Sequence, residues 1–225
     1  MSTQQLTPRV TAAGSGIGRA SGFELTSRGQ PGAANVEAAL ARNRAFAAAG
    51  GHRGAVVFPN LSLLVITCLD PRVDPAHFLG LGLSDAMVLR NVGGRVTPEV
   101  INDVAFIGQL AENALPDGPL FEVAVIHHTQ CGTGALADDT FRHRYAHRIG
   151  ADESTLREHA VLDPTATVTR DVERLRSATA ISPRVTLSGH VYDVLTGLVQ
   201  TVTSAHSSPD RTVEQPQIPQ GDETP

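Results

Sequence analysis

Cys68, His128 and Cys131 are the residues of this sequence best suited to hold a metal ion. The chain has only two cysteines, and His128 stands three residues before the second of them. Two thiolates and one imidazole make a three-ligand zinc site with the fourth position open, the usual sign of a catalytic zinc. Taken singly, the thiols have other readings: one disulfide, or two unrelated core thiols. The segment Cys68-Leu69-Asp70-Pro71-Arg72 adds a carboxylate two residues from a ligand and a guanidinium two further on. An arginine fork can grip a carboxylate bidentately and fix its position. Fixed beside an open zinc position, Asp70 could accept a hydrogen bond from bound hydroxide and aim it. It could instead swing in as a fourth ligand, or form only a structural ion pair with Arg72. Two thiolates cancel the charge of zinc, so the pKa of bound water falls less than with three histidines. The active form is then expected to grow with pH.

What the chain lacks narrows the chemistry further. All 18 basic residues are arginines. Without lysine there is no Schiff-base chemistry of the pyridoxal kind and no P-loop lysine for a nucleotide phosphate. Two cysteines exclude a disulfide-rich scaffold. A net charge of −5 gives no footprint for nucleic acid. The polar N-terminus lacks a signal pattern, and no apolar run approaches a membrane span, so a cytoplasmic location with no membrane contact is expected.

The elements that must position these residues follow from the pattern. Ser62–Thr67 is a short apolar run, as in a strand buried on both faces. Further strands are expected at Ala86–Arg90, Phe121–His127, Val185–Val191 and Leu198–Val202, the last two turning through Thr196-Gly197. Helices are expected over Val36–Ala49 after an Asn35 cap, with Gly50 as its stop, and briefly at Pro75–Leu81. Another starts at Thr97-Pro98-Glu99, with Val100, Val104, Ile107 and Ala111 on its stripe. One runs from Cys131 to about His147, and one starts at Asp163-Pro164 with Val168, Val172 and Leu175 inward. Alternating strands and helices predict an α/β fold: a mostly parallel sheet flanked by helices, with antiparallel edge strands near the C-terminus. In such a sheet Cys68, His128 and Cys131 all emerge at the carboxyl ends of strands, where these folds place their sites. Cys131 would also begin a helix, whose dipole favours thiolate. Residues 1–35 read as a polar, mobile arm, and residues 204–225 as a disordered acidic, proline-rich tail.

Other features have plainer readings. His127 neighbours a ligand, but strand alternation points it elsewhere, as a packed or hydrogen-bonded side chain. His143 and His147 share a helix face with Arg142, Arg144 and Arg148 around them, which reads as a solvated face, although they could carry protons. The run from Val10 to Ala20, with Gly14, Gly16 and Gly18, looks like the nucleotide-binding turn of short-chain dehydrogenases. The preceding buried strand is missing, and the Tyr-x-x-x-Lys of that family is impossible without lysine, so no cofactor is expected there.

Three blocks together resemble the β-class carbonic anhydrases. They are Cys68-x-Asp70-x-Arg72, then Arg90-Asn91-Val92-Gly93-Gly94, then His128-x-x-Cys131-Gly132, in the family's order and at similar spacing. Gly189–Asp193 and Thr196-Gly197 also resemble its final hairpin, so the likeness spans residues 36–203. The resemblance implies a zinc lyase that reversibly hydrates carbon dioxide to bicarbonate and a proton. It implies one zinc per chain on Cys68, His128 and Cys131, and a zinc-bound hydroxide oriented by the Asp70–Arg72 dyad. Asn91, Val92, Gly93 and Gly94 would shape the substrate pocket. A homodimer or dimer of dimers is implied, with N-terminal helices wrapping the partner. Pro71, Val92 and Gln130 depart from the family's usual residues without removing a ligand. Carbonyl sulfide or carbon disulfide hydrolysis on the same fold is the rival enzyme reading, and a non-catalytic zinc-binding structural or regulatory protein is the rival of another class.

Overall fold

The strands that carry the candidate ligands lie side by side in one sheet. In the computed structural model, which describes residues 34–207, the strands are β1 (Leu63–Cys68), β2 (Ala86–Asn91), β3 (Glu122–His128), β4 (Thr186–Tyr192) and β5 (Val199–Ser207). Their order is β2-β1-β3-β4-β5. All neighbours are parallel except β4 and β5, which form the expected antiparallel hairpin. A single antiparallel strand therefore closes that edge. The helices are α1 (Ala34–Ala48), α2 (Pro75–Phe78), α3 (Pro98–Ala114), α4 (Asp139–Ile149), α5 (Glu153–Glu158) and α6 (Pro164–Ser177).

Helix starts are set by local chemistry. Asp74, Thr97, Asp138, Asp152 and Asp163 each accept a backbone N–H of the following turn, and Pro75, Pro98 and Pro164 occupy first helical positions that need no donor. One face of the sheet carries the main core. Leu64 and Ile66 of β1, Val123 and Val125 of β3 and Leu187 of β4 pack against Val100 and Val104 of α3 and Val168, Val172 and Leu175 of α6. The opposite face is thinner: Val65, Ala124 and Ile126 are covered by Phe78 and Tyr192, whose rings stack 4.5 Å apart.

Several boundaries differ from the sequence reading. The helix expected from Cys131 to His147 is broken: a 3-10 segment spans Gly132–Ala137, and α4 starts afresh because Asp138 is extended and caps it. Helix α5 has no counterpart among the expected elements. Strand β5 continues to Ser207, past the expected end at Val202 and into residues read as the start of a disordered tail; α2 stops at Phe78 rather than Leu81; and α1 begins at Ala34 rather than after Asn35. The glycine-rich run near Val10 and residues 208–225 lie outside the described residues. No helix among the described residues is long and apolar enough to cross a membrane.

Candidate metal centre

Cys68 ends β1 and His128 ends β3, so neighbouring parallel strands deliver both to the same sheet edge. Cys131 follows through a tight turn in which Gln130 takes a left-handed φ of 56°. One donor atom from each of Cys68, His128 and Cys131 lies within 4.8 Å of the other two, and all three residues are buried. Among the described residues no other group of three His, Cys, Asp or Glu side chains comes together this way. The two Sγ atoms are 4.0 Å apart, far beyond a disulfide bond, and both cysteines are free.

His128 presents a committed tautomer. Its Nδ1 lies 2.9 Å from the Thr129 carbonyl. A carbonyl only accepts, so the proton sits on Nδ1 and the lone pair on Nε2. That Nε2 is buried without a hydrogen-bond partner. A buried, orphaned lone pair beside two thiols is costly unless a cation takes it. The donor set therefore fits a thiolate-preferring, imidazole-binding divalent ion.

The sulfurs are prepared unequally. The hydrogen bond with Cys131 lowers the Cys68 pKa against the opposing effect of burial, with help from the N–H groups of Asp70 and Gly93. The same bond, then burial, pushes Cys131 up, while the Thr133 hydroxyl and amide pull it down. The expected helix dipole at Cys131 is replaced by these direct donors, because only the 3-10 segment starts there.

Asp70 and Arg72 form the bidentate pair. Arg72 Nε donates to Oδ1 at 3.0 Å and Nη2 to Oδ2 at 2.7 Å, and the Arg72 backbone N–H adds 2.9 Å to Oδ1. Burial favours the neutral acid, but these bonds outweigh it and hold Asp70 below the usual carboxylate range. Arg72 Nη2 also donates to the Gln130 carbonyl at 3.0 Å, tying the Asp70 loop to the Cys131 loop.

Arg90 fastens the first loop from below. Its guanidinium donates to the carbonyls of Cys68 (3.0 Å) and Asp70 (2.8 Å) and to Asp74 Oδ2 (3.2 Å). The turn after β2 presses on the same strand end. Gly94 has φ +65°, and a Cβ there would sit 2.8 Å from Cys68 N and the Thr67 carbonyl carbon. Asn91 staples this turn: its Nδ2 donates to the Arg95 carbonyl, and its Oδ1 accepts the Arg95 N–H, each at 2.8 Å.

A cavity of about 220 Å³ opens over Cys68, lined by Leu69, Asp70, Pro71, Val92, Gly93, Gly132 and Thr133. Of the four residues expected in the pocket wall, Val92 and Gly93 line it. Asn91 and Gly94 stand behind it and shape the turn. A larger apolar groove of about 370 Å³, including Phe58, Met87 and Leu110, lies at the amino ends of the strands, away from the thiols.

His127 points away from the ligands, as strand alternation implies. Its Nε2 lies 3.2 Å from the Gly94 carbonyl and 3.3 Å from Asp171 Oδ2. Asp171 on α6 also receives Arg95 Nε at 2.7 Å and Nη2 at 3.0 Å, and all three side chains are fully buried. The sequence reading missed this group. The signal was available: Asp171 interrupts the inward stripe Val168, Val172, Leu175, and a carboxylate there needs a buried partner. Arg90 and Thr133 were missed as well. His143 is exposed and bonds Glu153 at 2.8 Å. Arg142, expected on a solvated face, is instead buried, donating to the Leu136 carbonyl at 3.0 Å and pairing with Asp139.

Comparison with known proteins agrees with this geometry. The sequence profile of the carbonic anhydrase family matches residues 63–199. The chain is 28% identical over 156 residues to beta-carbonic anhydrase 1 of Mycobacterium tuberculosis, covering 69% of this chain and 91% of that protein. It is 28% identical over 160 residues to the carbon disulfide hydrolase of Acidianus sp. strain A1-3, covering 61% and 75% respectively. The crystal structure of carbonic anhydrase from Streptococcus mutans superimposes with a TM-score of 0.62 at 30% identity, covering 75% of this chain and 97% of that one.

Proposed function

This chain belongs to the β-carbonic anhydrase family, and from that premise we propose that it reversibly hydrates carbon dioxide to bicarbonate and a proton, with zinc as its metal. The observation that carries the reading is the buried Cys68–His128–Cys131 cluster, with its unpartnered His128 Nε2, next to a carboxylate already fixed by Arg72. One zinc ion on those three donors would lower the pKa of water toward neutrality and so supply a nucleophile. Every other task falls to the chain itself.

Asp70 is ionised at neutral pH and is therefore only an acceptor. Held on Arg72 at the cavity wall, it accepts the proton-bearing side of the nucleophile and aims the lone pair into the cavity. Arg72 keeps the carboxylate from rotating and carries the balancing charge. Leu69, Pro71 and Val92 make an apolar wall suited to a small molecule without net charge. The released proton passes to buffer.

The fold and the ligand set do not discriminate against a sulfur analogue, and relatives named carbon disulfide hydrolase favour that as the second reading. We assign the chain to the cytoplasm. We also assign it a homodimer, or a dimer of dimers, in which α1 packs on the partner. From Val36 onward helix α1 is exposed, with Val36 66% and Phe46 44% accessible. It leaves unfilled the apolar groove at the amino ends of the strands.

The test is metal analysis with a hydration assay from about pH 7 to 9. One zinc per chain and activity rising with pH are expected. Asp70→Asn should keep zinc and lose most activity. Side-by-side rates on carbon dioxide, carbonyl sulfide and carbon disulfide rank the two enzyme readings. Zinc bound without turnover of any of them would favour a structural or regulatory protein. A metal-free wild type, or full activity in Asp70→Asn, would sink the mechanism.

A further inference from the structure

We propose that Thr133 is a positioning residue of the metal centre: its hydroxyl holds the Cys131 sulfur by a hydrogen bond and sets how tightly and how covalently that sulfur binds the metal. The proposal rests on the Cys68–His128–Cys131 reading. Thr133 Oγ1 lies 3.1 Å from Cys131 Sγ. The Val161 N–H donates to the same oxygen at 3.3 Å. An amide only donates, so the amide takes a lone pair and leaves the hydroxyl proton free for sulfur. A metal-bound thiolate has no proton to give, so in the loaded site the hydroxyl must be the donor. Thr133 is 7% exposed, which leaves water little access to that bond.

The side chain is also wedged from its other side. A Cβ on Gly93 would come within 3.1 Å of Thr133 Cγ2 and 3.3 Å of Oγ1. The hydroxyl therefore sits between Cys131, the Val161 amide and the Gly93 turn. Cys68 has no such hydroxyl: its donors are the backbone N–H groups of Asp70 and Gly93. The two sulfurs thus differ: outside the ligand set Cys68 is met by backbone N–H groups, whereas Cys131 is also met by a side-chain hydroxyl that substitution can remove. Outer-shell hydrogen bonds of this sort orient a ligand and draw charge from it.

The experiment compares wild type, Thr133→Val and Thr133→Ser, each loaded with zinc and, separately, with cobalt(II). Zinc affinity is read by competition with a chromophoric chelator, and thiolate character by the sulfur-to-cobalt charge-transfer band. Thr133→Val should bind zinc about 10–100-fold more weakly. Its charge-transfer band should move to longer wavelength, because a thiolate without its hydrogen bond gives up an electron more easily. Thr133→Ser should restore both. If Thr133→Val does not fold, Thr133→Ala against Thr133→Ser reads the hydroxyl in the same way. Unchanged affinity and band in Thr133→Val overturn the proposal. So does a Thr133→Ser variant as impaired as the valine, since packing alone would then be the cause. A wild type that binds neither metal overturns the metal-site reading and this one with it.

Discussion

Gly94→Ala isolates the contact that presses the turn after β2 onto the strand end carrying Cys68. Two costs arise. The first is conformational: at φ +65° an alanine is left-handed, which costs about 1–2 kcal/mol. The second is steric. The new methyl would lie 2.8 Å from Cys68 N and from the Thr67 carbonyl carbon, both backbone atoms that cannot rotate away. Relieving such overpacking costs about 1–3 kcal/mol more, so the whole is about 2–5 kcal/mol. Gly118→Ala is the control, because Gly118 has φ +81° with nothing within 4 Å. It should carry the conformational cost alone. Urea denaturation of the zinc-loaded proteins reads the difference, expected at about 1–3 kcal/mol. Thermal midpoints should follow at about 2–4 °C per kcal/mol. Because relief must shift Cys68, Gly94→Ala should also weaken zinc binding, and Gly118→Ala should not. Equal destabilisation of the two variants, with zinc affinity intact in both, would refute the close-approach argument.

Further expectations concern the supports of the site. Asp171→Asn leaves Arg95 buried without its charge partner and should cost about 3–5 kcal/mol, measured by denaturant titration. Burial favours the neutral Asp171, but hydrogen bonds from His127 and Arg95 outweigh it and lower its pKa from 3.8 to about 2. The stabilisation it gives is therefore full above about pH 4 and lost as pH falls through about 2; an acid-unfolding curve in which Asp171→Asn keeps the wild-type slope there counts against it. Arg90→Met removes the donors to the Cys68 and Asp70 carbonyls and should lower kcat with a smaller change in the thermal midpoint. Removing residues 1–48 should turn the proposed dimer into monomers by sedimentation equilibrium, while a truncated chain that still sediments at twice its own mass would exclude α1 as the dimer contact.

The sequence revealed most where one residue type carries one physical meaning. Thr97-Pro98-Glu99 marks the start of α3 because a cap, an N–H-free residue and an acid each suit a different part of a helix terminus. The run from Ser62 marks β1 because an apolar stretch this short has one sensible place in a sheet covered on both faces. Once β1 and β3 are parallel neighbours, Cys68, His128 and Cys131 emerge together at their carboxyl ends. The break at Asp138 was harder to see. The residues Ala135–Ala137 suit a helix, and only the capping bond that the Phe141 N–H donates to Asp138 Oδ1 shows where a new one begins. Helix α5 is a single capped turn and a half, too short for periodicity to register.

What stayed hidden is the set of contacts between residues far apart in sequence, and these hold the site in place. Arg95 and Asp171 are 76 residues apart, yet their pairing joins the glycine turn to α6. His127 adds the end of β3 through the Gly94 carbonyl. The same turn presses on Cys68 at the end of β1, so one buried charge cluster braces both strands that bear ligands. Arg72 and Arg90 do the equivalent work on the solvent side, each bridging a carboxylate and a main-chain carbonyl. An arginine fork can make two such bonds at once from a planar group, which an ammonium cannot match. Replacing Arg72 or Arg90 by lysine should therefore preserve charge but lose one bond of each pair. If the bridges matter as geometry, Arg90→Lys should lower kcat nearly as far as Arg90→Met. If charge alone suffices, it should restore wild-type turnover, and the loop would owe its position to the glycine turn instead.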